Sequence, residues 1–327
     1  MYHHQARPLN AAHGVSCLVW QCVPGATSHA NVTQREQNTG SLHRQREDLH
    51  HPGPDMTHTS SSGTKPLPVP LLEFDRVTVW RDAVKALDNV SFSVAEGGNL
   101  AVLGPNGAGK SSLVKTIIRE LYPDPSVSGL VFRVRGKDVW DVFDLRSTIG
   151  VVSNELQYAY TREVTGQDVI LSGFFSSIGL FNQTITPEME DKAEEVLAFL
   201  EIGHLRDRPM TEMSSGEARR LLIGRALVND PATLILDEPT NSLDLHSLHT
   251  FRQTLQKVAG AGTGIILITH NVHDIIPEID RVVLMEKGRI VRDGRKEDVL
   301  TSEEIGRLFG INVTVRKEGG YYYLTGY

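Results

Sequence analysis

The sequence feature that most constrains the fold is a glycine-rich loop set between an apolar run and an amphipathic segment. The loop reads Gly104-Pro-Asn-Gly-Ala-Gly-Lys-Ser111 and fits the pattern G-x₄-G-K-[ST]. Before the loop, the short apolar run Leu100–Leu103 predicts a strand. After it, apolar residues at helical spacing predict a helix from about Lys110 to Leu121. This order of strand, loop and helix is typical of α/β folds that bind phosphate groups.

The residue types in this loop suit a chain of phosphates. Gly104, Gly107 and Gly109 let backbone N–H groups come close to phosphate oxygens, because glycine has no side chain in the way. The helix N-terminus adds a partial positive charge. We expect Lys110 to reach the β- and γ-phosphates and the Ser111 hydroxyl to ligate Mg²⁺. The loop therefore predicts a nucleoside triphosphate site that uses magnesium.

Acidic residues and a histidine follow two further apolar runs. Leu234–Leu236 reads as a buried strand and ends in Asp237 and Glu238. At the carboxyl edge of a parallel sheet, Asp237 is placed to hold Mg²⁺ and Glu238 to act as general base on an attacking water. His270 follows the run Ile265–Ile268, so it belongs to the same edge. We expect His270 to contact the γ-phosphate or the attacking water.

A second candidate phosphate site is the segment Ser214-Ser-Gly-Glu217. Ser214 and Glu217 form a capping box, so one interpretation is simply the start of a helix. A hydroxyl, a glycine and a helix N-terminus also suit a phosphate. One chain does not need two γ-phosphate sites, whereas two chains facing each other head to tail would need both.

Composition narrows the class of protein. The 327 residues carry a net charge of −7, which disfavours a non-specific nucleic-acid binder. No apolar run approaches the roughly 18 residues that a membrane helix needs. The cysteines Cys17 and Cys22 exclude a disulfide scaffold and favour a reduced, cytosolic compartment.

The N-terminal part of the chain differs from the rest. Residues 1–65 hold eight of the 13 histidines and few aliphatic side chains, so we predict a disordered extension. From Leu71 onward, apolar runs alternate with helical patterns, which predicts an α/β sheet covered by helices on both faces. Residues 66–327 then form the folded domain.

Taken together, these motifs resemble the nucleotide-binding domain of ABC-type ATPases from about Leu71 to Gly310. The matches are Gly104–Ser112 to the Walker A motif, Leu234–Glu238 to Walker B, Met213–Glu217 to the signature, Ser242–Asp244 to the D-loop and His270 to the switch histidine. The resemblance implies a P-loop NTPase with a mixed sheet, an N-terminal antiparallel β subdomain and a helical subdomain over about 160–230. It also implies ATP and Mg²⁺ as ligands.

The resemblance assigns further residues to the nucleotide. Trp80 stands where the family stacks an aromatic ring on adenine, and Asn154 stands near the family's Q-loop glutamine, which contacts Mg²⁺. Asn154 is one methylene shorter than glutamine. The other residues assigned to ATP are Asn106 and Ser112 in the loop, Ser214, Gly216 and Glu217 toward a partner's nucleotide, and Asp244. Ser215 and Glu217 replace the family's first glycine and its glutamine.

The resemblance also bears on partners. It implies a second copy of the domain, a separate transmembrane permease and a location at the cytoplasmic face of the membrane, with no nucleic acid. The stretch from Val164 to Phe174 resembles ATP-binding proteins of molybdate transport, and Asp280–Val291 resembles those of metal-chelate importers. The leading hypothesis is an importer of a metal oxyanion or chelate. The alternatives are a soluble ABC ATPase that acts on another protein, and a regulatory module that binds ATP without hydrolysing it.

Overall fold

The computed structural model describes residues 69–160 and 163–326, apart from the side chains of Val142 and Phe143. The predicted extension over residues 1–65, with Cys17 and Cys22, lies outside the described residues. The strands are β1 Leu72–Arg81, β2 Val84–Val94, β3 Leu100–Leu103, β4 Val131–Val134, β5 Ile149–Ser153, β6 Thr233–Asp237, β7 Gly264–Thr269, β8 Arg281–Glu286, β9 Arg289–Arg295, β10 Thr314–Glu318 and β11 Tyr321–Thr325. The helices are α1 Lys110–Ile117, α2 Val142–Thr148, α3 Asn154–Ala159, α4 Gly166–Leu171, α5 Pro187–Phe199, α6 Ser215–Leu227, α7 Leu245–Gly260, α8 Lys296–Val299 and α9 Ser302–Phe309.

A six-stranded sheet lies at the centre, in the order β5-β6-β7-β3-β8-β9. Its first five strands are parallel, and β9 pairs antiparallel to β8 at the edge. Strands β3 and β7 are buried along their whole length, as their continuous apolar runs predict. Because β3, β6 and β7 are neighbours and parallel, their carboxyl ends meet at one edge of the sheet. The prediction of a mixed α/β sheet is confirmed.

A three-stranded antiparallel sheet, ordered β2-β1-β4, forms the N-terminal β subdomain. Phe74 packs against Phe92 and Phe132, with ring centroids 5.0 and 4.7 Å apart. The same hydrophobic cluster includes Leu113 and Ile117 of α1. This sheet therefore packs against the helix that follows the glycine-rich loop.

Helices α4, α5 and α6 pack on one another and on the opposite face of the central sheet. Helix α5 begins as its sequence predicts, because the Thr186 hydroxyl accepts a hydrogen bond from the Met189 N–H and Pro187 occupies the first turn. Its buried face is Ala193, Val196 and Leu197. Within the described ranges, no helix is long and apolar enough to cross a membrane.

The structure differs from the sequence-based prediction in two places, the end of α1 and a C-terminal hairpin. Helix α1 ends at Ile117 rather than at Leu121, because Arg119 adopts a left-handed φ of 63°. The Arg119 guanidinium lies 3.8 Å from the Phe132 ring centroid and donates to the carbonyl of Asp138, which holds this turn. The hairpin β10–β11 was also not anticipated. It packs beside His273, whose Nε2 accepts a hydrogen bond from the Leu324 N–H at 3.1 Å.

Candidate active site

The glycine-rich loop joins β3 to α1, and backbone carbonyls lie against two of its glycines, Gly104 and Gly109. A Cβ on Gly104 would lie 2.2 Å from the carbonyl oxygen of Met285, and one on Gly109 would lie 2.5 Å from that of Ala86. Gly107 and Gly109 also have positive φ values of 79° and 100°. Because other residues would clash or be strained there, the glycines are required by the loop's shape.

The remaining loop residues surround this backbone. Asn106 is exposed at the tip, Ser111 is exposed on the first turn of α1, and Ser112 is buried, with its carbonyl accepting a hydrogen bond from the Thr116 hydroxyl. The contacts of Asn106 and Ser112 with ATP stay predictions.

Lys110 is buried, and its ammonium group lies among oxygen atoms. Its Nζ donates to the carbonyls of Gly104 at 2.9 Å and Pro105 at 3.1 Å, and lies 3.3 Å from Oε1 of Glu238. The ammonium thus lies inside the loop, between its first two carbonyls and the carboxylate at the end of β6. In this position it can exchange a carboxylate contact for a phosphate oxygen.

Glu238 directly follows β6 and has a left-handed φ of 47°. Its N–H donates to the Ile268 carbonyl at 2.9 Å, and its Oε2 accepts from the Asn241 amide at 2.8 Å. Nδ1 of His270 lies 3.4 Å from its Oε1. The structure therefore brings Lys110, Glu238 and His270 together, as their strand ends predict.

The surroundings of Glu238 favour the ionised form. Burial raises the pKa of this carboxyl, but the hydrogen bond from Asn241 and the charges of Lys110 and His270 together hold the pKa below its ordinary value. A carboxylate that is ionised at neutral pH and faces a phosphate site can accept a proton from water. The geometry suits a general base.

Asp237 and Ser111 supply oxygen atoms that fit a magnesium ion. Burial raises the pKa of Asp237, opposed by a hydrogen bond from the Ser111 side chain and by the charge of Lys110. The Oδ1 atom of Asp237 is buried and has no hydrogen-bond partner among the described residues. A hard divalent cation prefers oxygen ligands of this kind. These two residues would hold Mg²⁺, which would neutralise charge on the phosphates when bound.

Asn154 begins α3, next to the end of β6. Its Nδ2 donates to the carbonyl of Glu238 at 3.2 Å, and its Oδ1 accepts a hydrogen bond from the buried Arg219. The oxygen that a metal would need is therefore bonded to Arg219 in this conformation. A contact between Asn154 and Mg²⁺ stays a prediction.

Trp80 is exposed on 45% of its surface and is not part of the core. It pairs with Lys85 across β1 and β2, one residue from Ala86, whose carbonyl faces Gly109. Its indole N–H donates to Asp124 at 3.0 Å. The ring is thus anchored beside the loop and partly exposed, with the Lys85 ammonium 5.4 Å from its centroid. The contact with adenine stays a prediction.

The signature segment forms the N-terminus of α6, and side chains of the segment itself accept hydrogen bonds from its N–H groups. The Ser214 hydroxyl accepts a hydrogen bond from the Glu217 N–H, and Glu217 accepts one from the Ser214 N–H at 2.8 Å and one from Arg208 at 3.0 Å. These bonds, the Ser214 N–H first, hold the pKa of Glu217 below its ordinary value. Gly216 is buried, and a Cβ there would lie 2.7 Å from the Ser247 hydroxyl.

The signature and the D-loop are neighbours. The Ser215 hydroxyl donates to the Ser242 carbonyl at 3.4 Å, and Asp244 caps α7 by accepting from the Ser247 N–H at 2.7 Å. Asp244 and Leu245 are exposed. Within the described residues, the hydrogen bonds and ion pairs of Ser214, Glu217 and Asp244 do not reach Lys110. The structure does not gather these residues into the loop site.

Three polar residues near the site were missed by sequence reasoning: Asn241, Arg219 and Asp124. Asn241 could have been found by its place three residues after Glu238, where a turn brings side chains back. Arg219 and Asp124 carry no local signal, because their partners Asn154 and Trp80 lie 65 and 44 residues away in the sequence.

The loop, Lys110 and the acids at the end of β6 define a P-loop nucleotide hydrolase. A family model described as ABC transporter matches residues 87–241. A cobalt import ATP-binding protein of Rhodobacter capsulatus is 34% identical over 71% of this chain and 81% of its own length. A hemin import ATP-binding protein of Escherichia coli O157:H7 is 32% identical over 71% of this chain and 89% of its own length.

The solved structures agree with these relatives. An ATP-binding cassette of an ABC transporter, in its ADP conformation, aligns with a TM-score of 0.64 and 26% identity over 73% of this chain and 98% of that chain. The chain belongs to the ATP-binding proteins of ABC transporters. It is an ATP-binding ATPase of that family.

Proposed function

We propose that this chain hydrolyses ATP to drive the import of a metal oxyanion or metal chelate through a separate membrane permease. In this proposal residues 66–327 form the ATPase domain, which lies at the cytoplasmic face of the membrane. Glu238 is the general base, Lys110 and His270 contact the γ-phosphate, and Ser111 and Asp237 hold Mg²⁺. The N-terminal residues 1–65 are not needed for hydrolysis.

The catalytic part of the proposal depends on one observation, which is that two side chains converge on the Glu238 carboxylate. Lys110 Nζ lies 3.3 Å and His270 Nδ1 lies 3.4 Å from the same oxygen of Glu238. A base, a phosphate-binding cation and a histidine thus meet beside the glycine-rich loop. This set supports in-line attack of water on a γ-phosphate, because each group faces the same small volume.

The head-to-tail dimer is supported by the signature residues. Ser214 is exposed at the N-terminus of α6, where a helix dipole and N–H groups favour an anion. The exposed Asp244 and Leu245 adjoin it. In the proposed dimer, Ser214, Gly216 and Glu217 face the ATP that is bound to the partner's glycine-rich loop, and Trp80 stacks on the adenine of its own ATP.

The proposed cargo is supported by sequence similarity. The two relatives described above are named for the import of cobalt and of hemin. This part of the proposal depends on those relatives rather than on the site.

The test compares Glu238→Gln with the wild type in full-length protein. Glutamine keeps the size of Glu238 and one acceptor oxygen, but it is uncharged and cannot accept the proton. We expect kcat to fall by about 10²- to 10³-fold. With Mg-ATP, the variant should also accumulate as a dimer in size-exclusion chromatography with light scattering. The matched control is Glu286→Gln, because Glu286 ends β8 at the same sheet edge but pairs with Lys287 at 3.2 Å.

Turnover by Glu238→Gln at the rate of the wild type would remove Glu238 as the base. The transport role is tested by tagging the chain in its source cells and purifying it from detergent-solubilised membranes. A multi-spanning membrane protein that co-purifies and stimulates the ATPase supports the proposal. A water-soluble partner that does so would favour an ATPase acting on a non-transport protein instead.

A further inference from the structure

Arg219 is a buried cation whose position is costly for stability. It lies on α6 with 2% of its surface exposed, and burial lowers the pKa of its guanidinium. Its Nη2 donates to Asn154, while Nε and Nη1 have no hydrogen-bond partner within the described residues. Burying a charge without an ionic partner lowers stability, because the charge loses its hydration without a full replacement. An apolar residue would suit this place better if packing alone mattered.

Among the described residues, the side-chain hydrogen bond of Arg219 goes to Asn154 and leads from there toward Glu238. Asn154 accepts from Arg219 through its oxygen and donates through its nitrogen to the main-chain carbonyl of Glu238, at 3.2 Å. The orientation of this amide follows from chemistry, because a guanidinium only donates and a carbonyl only accepts. Reversing the amide would break both bonds. Arg219 therefore fixes which way Asn154 faces.

The hydrogen bond from Asn154 is made to a residue whose backbone conformation is strained. Glu238 has a φ of 47°, a conformation that costs free energy for a residue with a Cβ. Its N–H donates to the carbonyl of Ile268 at 2.9 Å, and its own carbonyl accepts from the Asn154 amide at 3.2 Å and, at a longer 3.4 Å, from the Asn241 N–H. These bonds fix the peptides on both sides of the Cα, and hence the direction of the carboxylate, and the shorter bond to the carbonyl comes from Asn154.

We infer that Arg219 is a positioning residue for hydrolysis. It orients Asn154, which in turn holds the main chain of Glu238 so that the carboxylate stays beside Lys110 and His270. The inference rests on the proposed role of Glu238 as the base. Arg219 lies on α6, five residues after the Ser214 cap, so the orientation of the base depends on where α6 lies. The short asparagine is sufficient at this position because the long arginine reaches it.

The test is Arg219→Leu in the full chain, measured by steady-state ATPase kinetics and thermal unfolding. We expect kcat to fall about tenfold, because a misplaced group costs rate. The KM for ATP should stay within about twofold, because Arg219 is not assigned to the nucleotide. The melting temperature should stay the same or rise, because replacing a poorly paired buried charge by an apolar side chain is often neutral or stabilising. A purely structural arginine would give the reverse pattern, with a lower melting temperature and an unchanged kcat.

Arg225→Leu is the matched control on the same helix. Arg225 bonds to the Ser172 hydroxyl at 3.3 Å and the Ser177 carbonyl at 3.0 Å, away from Asn154. Its loss should lower the melting temperature and leave kcat unchanged. Arg219→Lys keeps an N–H donor at lower reach, and we expect it to recover part of the lost kcat.

Asn154→Leu removes the middle residue of the same chain of hydrogen bonds. It replaces Arg219→Leu as the test if that variant is insoluble. We expect a similar loss in kcat, and a double variant no slower than the slower single one, because both changes break one chain of bonds. Additive losses, or a wild-type kcat in Arg219→Leu, would overturn the inference. Glu238→Gln is assayed alongside. If Glu238→Gln is inactive while Arg219→Leu is normal, only this inference fails; if Glu238→Gln is active, the proposed base fails first.

Discussion

Two helix N-termini in this chain have the residues of a phosphate site, and they are built differently. At α1, the loop before the helix is shaped by glycines with positive φ, and side chains from β6 and β7 converge on it. There, Lys110 Nζ lies 3.3 Å and His270 Nδ1 lies 3.4 Å from Oε1 of Glu238. This end of the molecule has a cation, a carboxylate proposed as the base and a candidate metal site in one chain.

At α6, the helix start is closed by its own residues. Ser214 and Glu217 cap each other, and Arg208 holds the second oxygen of Glu217. Within the described residues, no buried lysine faces the Ser214 hydroxyl, and the Glu217 carboxylate is held by the Ser214 N–H and by Arg208. Such a terminus can bind an anion, but its carboxylate is occupied as a helix cap. The difference supports the proposal that the two termini act together only across a dimer.

Lys110→Ala should give the largest effect, since it removes the cation from the only one of the two termini that is built for chemistry. We expect kcat/KM to fall by about 10³-fold or more, which corresponds to about 4 kcal/mol of transition-state stabilisation. The measurement is ATPase kinetics together with equilibrium binding of a fluorescent ATP analogue. Lys115→Ala, which removes a partly exposed lysine on the same helix that pairs with Glu155, should leave both unchanged. Full turnover by Lys110→Ala would contradict the assignment of the loop.

Ser214→Asp tests the other terminus without removing its cap. Aspartate caps a helix as well as serine does, but it brings a negative charge toward the partner's phosphates. We expect the ATPase rate to fall about 10²-fold, with nucleotide binding to the isolated chain retained. The melting temperature is the control, and it should not drop.

Mixing the two inactive variants sharpens this comparison. In a head-to-tail dimer, the Lys110→Ala chain offers an intact signature to the intact loop of the Ser214→Asp chain. Random pairing then restores up to about a quarter of the wild-type activity, because half of the dimers carry one complete site. A mixture that stays inactive at every ratio would show that the two termini do not complete each other across chains.

The comparison also explains which parts could be predicted from the sequence. The α1 site could be, because its pattern is local: the glycines, Lys110 and Ser111 occupy consecutive positions, and Asp237 and Glu238 directly follow an apolar run. Parallel strands then bring distant strand ends to one edge, which places His270 as well. The same apolar runs predict the α/β sheet.

What could not be predicted depends on packing between distant segments. The bond between Arg219 and Asn154 joins positions 65 residues apart, and neither residue type signals the other. The early end of α1 depends on Arg119, whose turn is held by Phe132 on another strand. The hairpin β10–β11 carries a mixed polar and aromatic pattern that differs little from a loop. Each of these features is set by contacts that form only in the folded chain.

Ser214→Ala separates a structural cap from a phosphate ligand. Loss of the capping hydroxyl should lower the free energy of unfolding by about 1 kcal/mol. Thr186→Ala is the matched control, because Thr186 caps α5 in the same way and has no assigned contact with nucleotide. We expect both variants to lose similar stability in urea unfolding, and only Ser214→Ala to lose ATPase activity, by about tenfold. Equal ATPase activities would mean that Ser214 is only a cap.

Asn241→Ala should give the smallest effect at neutral pH and the most specific one. The pKa of Glu238 is raised by burial and lowered by the hydrogen bond from Asn241 and by Lys110 and His270. Without that hydrogen bond, we expect the pKa of Glu238 to rise toward the value that burial alone would give. A base works only when ionised, so a higher pKa means that activity is lost at a higher pH as the solution is acidified.

The acid limb of kcat/KM, which reports the free enzyme, should therefore move to higher pH in Asn241→Ala, while the rate at pH 8 changes less than about twofold. Arg208→Ala provides the comparison at the other helix terminus. Arg208 lowers the pKa of Glu217, after the larger effect of the Ser214 N–H. Since Glu217 is a cap and not a base, losing Arg208 should leave the acid limb where it is. A limb that moves equally in both variants, or in neither, would mean that the ionisation of Glu238 does not govern hydrolysis, and that the chemical difference between the two termini has to be sought in another group.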